Sequence, residues 1–139
     1  MRVCGVDYQG NDCVPVVIEH ESGEWKLAPS SPYKITLGDL YNTEDVRLFA
    51  KALEAFLNEN LVDLVIVRKR PTSGKYGGGA ASFRMGGVLQ VVTEKPVMFV
   101  STRGIDSALA KHEVHLPEKL HKYQHRAFEV AMAHALSSG

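Results

Sequence analysis

Arg68, Lys69, Arg70, Lys75 and Arg84 follow one another with no acid among the intervening residues, directly after the apolar run Asp63-Leu64-Val65-Ile66-Val67. A short, continuous apolar run of this kind fills the middle of an α/β sheet. In open α/β sheets, ligands gather beyond the carboxyl ends of the strands. A basic collar at such an end predicts an anionic partner, either nucleic acid or a phosphorylated small molecule. Arg and Lys neutralise phosphates and release counterions, so five engaged cations would give a log K against log salt slope approaching about −4.5 as a ceiling. Tyr76, inside the glycine-rich stretch, is of a type that stacks on an unpaired base. The competing reading of the same residues is a solvated surface loop.

Other candidate chemistry is thinner. Gly74 and Gly79 have the outer spacing of a phosphate loop, but Ala80-Ala81 stands where Lys and Ser or Thr should follow. Backbone N–H groups at a helix start there could still cradle one phosphate. His112, His115, His121, His125 and His134 crowd the last part of the chain. His121 and His125, read as i and i+4 on one helix, have a spacing compatible with Zn²⁺, with Glu118 the acid on that face and no Cys near. The bland reading is a polar surface. Ser82 and Ser101 lack a recognisable nucleophile elbow or base partner. No cofactor is expected.

These groups must be positioned by a chain of 139 residues, enough for a single domain spanning 1–139 with one sizeable core. Sixteen Lys and Arg balance sixteen Asp and Glu. Net charge therefore points to no partner, and only the local segregation of charge gives the surface potential a direction. The compensating acids lie mainly in Glu19–Glu24 and Asp39–Asp63. Cys4 and Cys13 are the two cysteines; a turn at Gln9–Asp12 puts Cys13 near Tyr8 and away from Cys4, so no bridge is expected. A charged Arg2 leads straight into a strand and no apolar stretch has membrane-spanning length, which reads as a cytoplasmic protein with reduced thiols and no membrane contact.

Val3–Asp7 and Val14–Glu19 read as an antiparallel hairpin, with Pro15 marking a strand start or bulge. Trp25–Leu27, with Tyr33–Leu37, supplies a third strand. Thr43–Asn58 is the clearest helix: Val46, Phe49, Ala50, Leu53, Phe56 and Leu57 share a face, and Asn42 or Thr43 caps its start. Burying its four large residues (Phe49, Leu53, Phe56, Leu57) contributes at most roughly 1.5–3 kcal/mol each. Ala80–Val92 reads as a second helix, its small Ala81, Gly86 and Gly87 allowing close approach to the sheet. Pro96–Val100 is another apolar strand. Pro117–Leu136 reads as a closing helix with Pro117 and Glu118 in its first turn, and His134 on its apolar stripe as a core histidine.

This order, with an Asp ending the first strand, resembles the ribonuclease-H-like fold, and within it the RuvC-type Holliday-junction resolvases. Gly5-Val6-Asp7 resembles their opening Gly-hydrophobic-Asp. Asp63–Arg68, the glycines, and Phe83-Arg84-Met85-Gly86-Gly87-Val88 resemble the second catalytic strand and the helix after it. Ala127–His134 resembles their Ala-rich closing helix. The chain is also similar to a small bacterial group of uncharacterised ribonuclease-H-like proteins. The resemblance implies an α/β fold: a five-stranded mixed sheet, antiparallel in its first hairpin and parallel afterwards, with helices on both faces.

It also implies a two-metal site, in which about four carboxylates hold divalent ions that activate water and steady the leaving oxygen. Here the chain departs. Asp7 matches the first ligand, but the strand-end Glu corresponds to Arg68, and the paired acids of the last helix fall near Tyr123 and Arg126. A guanidinium repels Mg²⁺ rather than binding it. A vestigial Asp7 neutralised by a salt-bridge cluster with Arg68 and Arg126 is expected in place of the metals; a plain hairpin cap is the lesser role for Asp7. The resulting expectation is a protein without two-metal nuclease activity that binds nucleic acid or a phosphorylated ligand through Arg68, Lys69, Arg70, Lys75, Tyr76 and Arg84. Two alternatives stand beside it. One is an Mg²⁺-dependent nuclease with rearranged carboxylates such as Glu129 and Asp12. The other is a scaffold, for instance a homodimer, using the helix faces and the His-rich end.

Overall fold

The structure, a computed structural model, describes residues 1–71 and 79–137. Strand β1 (Arg2–Gln9) turns at Gly10, whose φ of +59° suits glycine, into β2 (Asp12–Glu21). The two pair antiparallel from Arg2↔Glu19 to Gln9↔Asp12. Strands β3 (Glu24–Ala28) and β4 (Ile35–Thr36) follow, then helix α1 (Thr43–Glu59), β5 (Leu64–Arg68), α2 (Ala80–Val92), β6 (Val97–Val100), α3 (Thr102–Ala110), a single 3₁₀ turn (Lys122–Gln124) and α4 (His125–Ser137). The sheet order is β3-β2-β1-β5-β6, with β5 parallel to β1 and β6 parallel to β5. The two-residue β4 adds a sixth strand beside the expected five, paired with Asp12 and Cys13 of β2.

Alternation along the strands divides the apolar residues between two layers. Cys4, Val6, Tyr8, Cys13, Val17, Val65 and Val67 meet Phe49, Leu53 and Phe56 of α1 and Met85 and Leu89 of α2. Val3, Val14, Val16, Ile18, Leu64 and Ile66 meet Ile105 of α3 and Ala127, Phe128, Val130 and Ala131 of α4. Helix α4 lies directly on β1. A Cβ built on Gly5 would fall 2.1 Å from the Ala127 carbonyl oxygen and 2.7 Å from the Ala131 nitrogen.

Three local expectations are corrected. Pro15 neither starts β2 nor bulges it, since Val6↔Pro15 is a regular pair. It stands between the stretch paired with β4 and the stretch paired with β3, a gap where a missing N–H leaves no ladder bond unmade. The closing helix begins at His125, not Pro117. Before it, the His121 N–H donates to Gln124 Oε1 at 2.9 Å in a capping box that ends the irregular segment and sets the entry angle. Finally, α3 is an element the residue pattern did not announce; Ser101 Oγ caps it by accepting from the Gly104 N–H at 3.0 Å. Among the described residues no helix is long and apolar enough to cross a membrane.

Candidate anion-binding site at the strand ends

Arg68 ends β5, and Asp7 lies one residue past the last β1 position paired with that parallel strand. The register Val6↔Val67, extended by one residue, sets them side by side on the face that carries α4. Arg68 Nε donates to Asp7 Oδ1 at 2.7 Å, with Asp7's side chain 4% exposed and Arg68's 19%. Gln9 Nε2 donates to the other carboxylate oxygen, Oδ2, at 3.2 Å and to the Tyr123 carbonyl at 2.7 Å, tying the strand end to the segment before α4. Arg68 Nη1 reaches Thr102 Oγ1 at 3.4 Å. Gln9 and Thr102 were not foreseen, because nothing in their spacing distinguishes them from ordinary polar positions.

This donor set does not fit a pair of divalent ions. The first carboxylate already accepts a guanidinium N–H and an amide N–H, and a fixed positive charge stands where a second anionic ligand is needed. The carboxylates suggested for a rearranged metal site lie in other arrangements. Asp12 Oδ1 accepts from Thr36 Oγ1 at 2.6 Å, and Glu129 Oε1 stands 3.6 Å from Arg126 Nη1. Among the described residues, no three His, Cys, Asp or Glu side chains gather as a metal-binding group.

Arg126 is corrected: it does not join Asp7. Its Nη1 donates to Asp106 Oδ1 of α3 at 2.8 Å, and the pair links α3 to α4. His121 and His125 are also corrected, because the chain enters α4 only at His125 and the two do not share a helix. His121 stacks on Tyr123 with centroids 5.4 Å apart, and Lys34 Nζ lies 4.2 Å over the Tyr123 ring. Those contacts make His121 part of a packed surface cluster. His134 is half-buried on α4, and burial pushes its pKa down.

The cations of the collar separate. Lys69 is exposed and Arg70 half-buried; with Arg68 they line a cavity of about 430 Å³ between the sheet and α2, together with Tyr8, Ser82, Phe83, Gly86 and Phe99. Arg84 lines the neighbouring groove between α1 and α2, beside Ala50, Val88 and Val91. Lys75 and Tyr76 lie outside the described residues. Tyr8, which lines the cavity, entered the sequence reading only as the neighbour of Cys13 across the turn.

Cys4, Cys13 and Tyr8 are buried in the same apolar layer, and both thiols are free. Burial pushes the Cys4 thiol from an ordinary 9.0 up to about 12, and raises Cys13 and Tyr8 as well. All three hold their protons more tightly folded than unfolded. Their contribution is fully present below pH 9, where the unfolded thiols are also protonated, and is lost as pH rises through the folded values. Urea unfolding midpoints should therefore hold steady up to about pH 8.5 and fall above it. With both thiols and then Tyr8 engaged, the slope should steepen toward roughly 1.4 kcal/mol per pH unit per group. A midpoint unchanged at pH 10.5, or rapid labelling of either thiol by a disulfide reagent in the folded protein, would contradict this burial.

A mixed sheet opening with an antiparallel hairpin, continued by parallel strands and covered by helices on both faces, defines the ribonuclease-H-like α/β class. Solved structures agree. The structure of Thermus thermophilus RuvC superposes with a TM-score of 0.76 at 16% identity, over 99% of this chain and 95% of that one. T. thermophilus RuvC in complex with a Holliday junction substrate gives 0.75 at 16% identity, over 99% and 94%. The Fowlpox virus resolvase with its substrate Holliday junction DNA gives 0.54 at 14%, over 99% and 98%. The chain belongs to the family described as protein of unknown function DUF3010, whose profile matches residues 1–134. No curated protein sequence matches it.

Proposed function

We propose that this RuvC-like chain lacks two-metal nuclease activity and binds nucleic acid through the basic groups at the carboxyl end of β5. The observation that carries the reading is the Arg68 guanidinium on Asp7 at 2.7 Å, where a resolvase of this fold needs anionic metal ligands. Arg68 is internally paired, and the binding charge falls to Lys69, Arg70 and Arg84, with Lys75 beside them in the sequence. That the neighbours in two of the superposed structures hold Holliday junction DNA makes a four-way junction the first ligand to try.

The test is fluorescence anisotropy with labelled four-way junction and linear duplex across salt concentrations, run beside a cleavage assay in Mg²⁺ or Mn²⁺. Binding without cutting is expected. Arg68 no longer counts toward counterion release, so the slope of log K against log salt has a ceiling near −3.6. Reversing Lys69 and Arg84 to Glu together should weaken binding by about tenfold or more at low salt. Metal-dependent cleavage abolished by Asp7→Asn would overturn the reading, and so would binding that is absent or indifferent to salt.

A second reading is favoured by the groove along α2. It encloses about 690 Å³ lined by Ala50, Phe83, Val88 and Val91, with Val91 84% exposed. An apolar surface of this kind suits a scaffold that pairs with a second copy of the chain. Light scattering that reports a dimer, combined with no DNA binding, would favour it.

A further inference from the structure

Among the described residues three side-chain polar atoms are buried without a hydrogen-bond partner, and two of them, Tyr8 Oη and Arg70 Nε, belong to residues that line the same cavity. The third, Arg2 Nε, lies at the far end of β1. Buried donors left unpaired are rare and call for an explanation. Tyr8 is only 3% exposed, and its hydroxyl lies 3.8 Å from the position a Cβ on Gly86 would take. Burial keeps that hydroxyl protonated, hence a donor.

Tyr8, Arg70 and Ser82 also line a second space of about 450 Å³, which opens onto the start of α2 at Gly79, Ala80 and Ala81. Gly79 is the N-cap and provides no capping side chain, and the first turn carries no acid. The N–H groups of that turn therefore add to the positive end of a thirteen-residue helix. Ser82 Oγ donates to the Gly79 carbonyl at 2.7 Å, so it offers a ligand only an acceptor. Arg70 Nη1 donates to the Tyr8 carbonyl at 3.2 Å, which holds the guanidinium in place and leaves Nε over. Among the described residues no acid lines either space. The remaining walls include Val67, Gly86, Gln90 and the exposed rings of Phe83 and Phe99.

We infer that this cavity binds a phosphate monoester with an aromatic body. The phosphate oxygens accept from the α2 start and, once the ligand displaces the side chains that cover them, from Tyr8 Oη and Arg70 Nε, while the ring lies against Phe83 and Phe99 with Gly86 leaving the space it fills. The inference deepens the proposed binding function, resting on it for the role of Arg70, and names a ligand class that the outward cations alone do not select. A phosphate of this kind comes either from a free small molecule or from the 5′ end of a nucleic-acid strand.

The test is isothermal titration calorimetry of the whole chain with phenyl phosphate and, separately, inorganic phosphate. Phenyl phosphate should bind saturably and at least about tenfold tighter than inorganic phosphate, since the ring adds apolar burial. Tyr8→Phe should weaken phenyl phosphate roughly threefold to tenfold while leaving the unliganded protein as stable as before or more so, because it deletes an unpaired buried hydroxyl. Arg70→Gln should weaken it by about tenfold or more, and Gly86→Leu should block it by filling the cavity. A Tyr8-dependent preference for a 5′-phosphorylated oligonucleotide over its 5′-hydroxyl twin assigns the strand end; equal binding of the twins with phenyl phosphate retained assigns a free ligand.

Absent heats with phenyl phosphate, equal affinity for inorganic phosphate, or indifference to Tyr8→Phe and Arg70→Gln overturns the inference. If junction binding persists with its salt dependence while phenyl phosphate fails, the cavity is wrong and the collar stands. If phenyl phosphate binds and no DNA does, the collar is wrong and the cavity stands.

Discussion

Gly5→Ala is expected to destabilise this protein more than any other single-methyl addition among the described glycines. The new Cβ would lie 2.1 Å from the Ala127 carbonyl oxygen and 2.7 Å from the Ala131 nitrogen, both backbone atoms of α4. Backbone cannot swing aside as a side chain can, so relief requires lifting the helix off the sheet, which breaks the layer built by Val130, Ala131 and Ile18. The loss should reach or exceed about 3 kcal/mol, the upper end of ordinary overpacking. Gly86→Ala is the matched control: its nearest neighbour is a Phe99 ring carbon at 3.7 Å, an ordinary contact, and its effect should stay within about 1 kcal/mol, aided by better helix propensity. Urea unfolding followed by circular dichroism measures both. A Gly5→Ala protein with the parental midpoint would mean that α4 does not sit on β1 as described.

Removing the Arg68 guanidinium is the second large effect. Arg68→Met keeps much of the stem and leaves Asp7, 4% exposed, as an uncompensated buried carboxylate. Stability should fall by about 3 kcal/mol, the lower end for a broken buried pair, because Gln9 still donates to Oδ2. Asp7→Asn in the same background should recover more than half of that loss, since the charge goes with the partner. Arg68→Glu should be less stable still, and adding Mg²⁺ should then raise its unfolding midpoint, an effect the parent protein should not show. Additive single and double variants in the cycle would count against a coupled pair.

How far the sequence could be read depended on whether the signal was local. α2 begins and ends where its pattern placed it, at Ala80 and Val92, and α1 ends one residue beyond the expected Asn58. Both helices carry their own periodicity and caps. The start of α4 was misread because Pro117-Glu118 looks like a helix opening, whereas the deciding interactions are the His121–Gln124 box and the Lys34–Tyr123 contact, the latter between residues far apart in the chain. α3 escaped notice because it is short and buries a single residue, Ile105. That omission carried through to the site. Asp106, the acid that takes Arg126 at 2.8 Å, belongs to α3, so that pairing could not be anticipated without the helix. The Asp7–Arg68 contact was easier to anticipate, since parallel pairing of two recognisable strands dictates it.

Asp7 and Tyr8 are consecutive residues whose side chains leave β1 on opposite sides, one toward α4 and the other toward α2. The sheet thus works as a partition with a separate compartment at each surface. Substitutions that alter the charged pair on one side need not rebuild the recess on the other, so the two surfaces can change independently although they share one pair of strands.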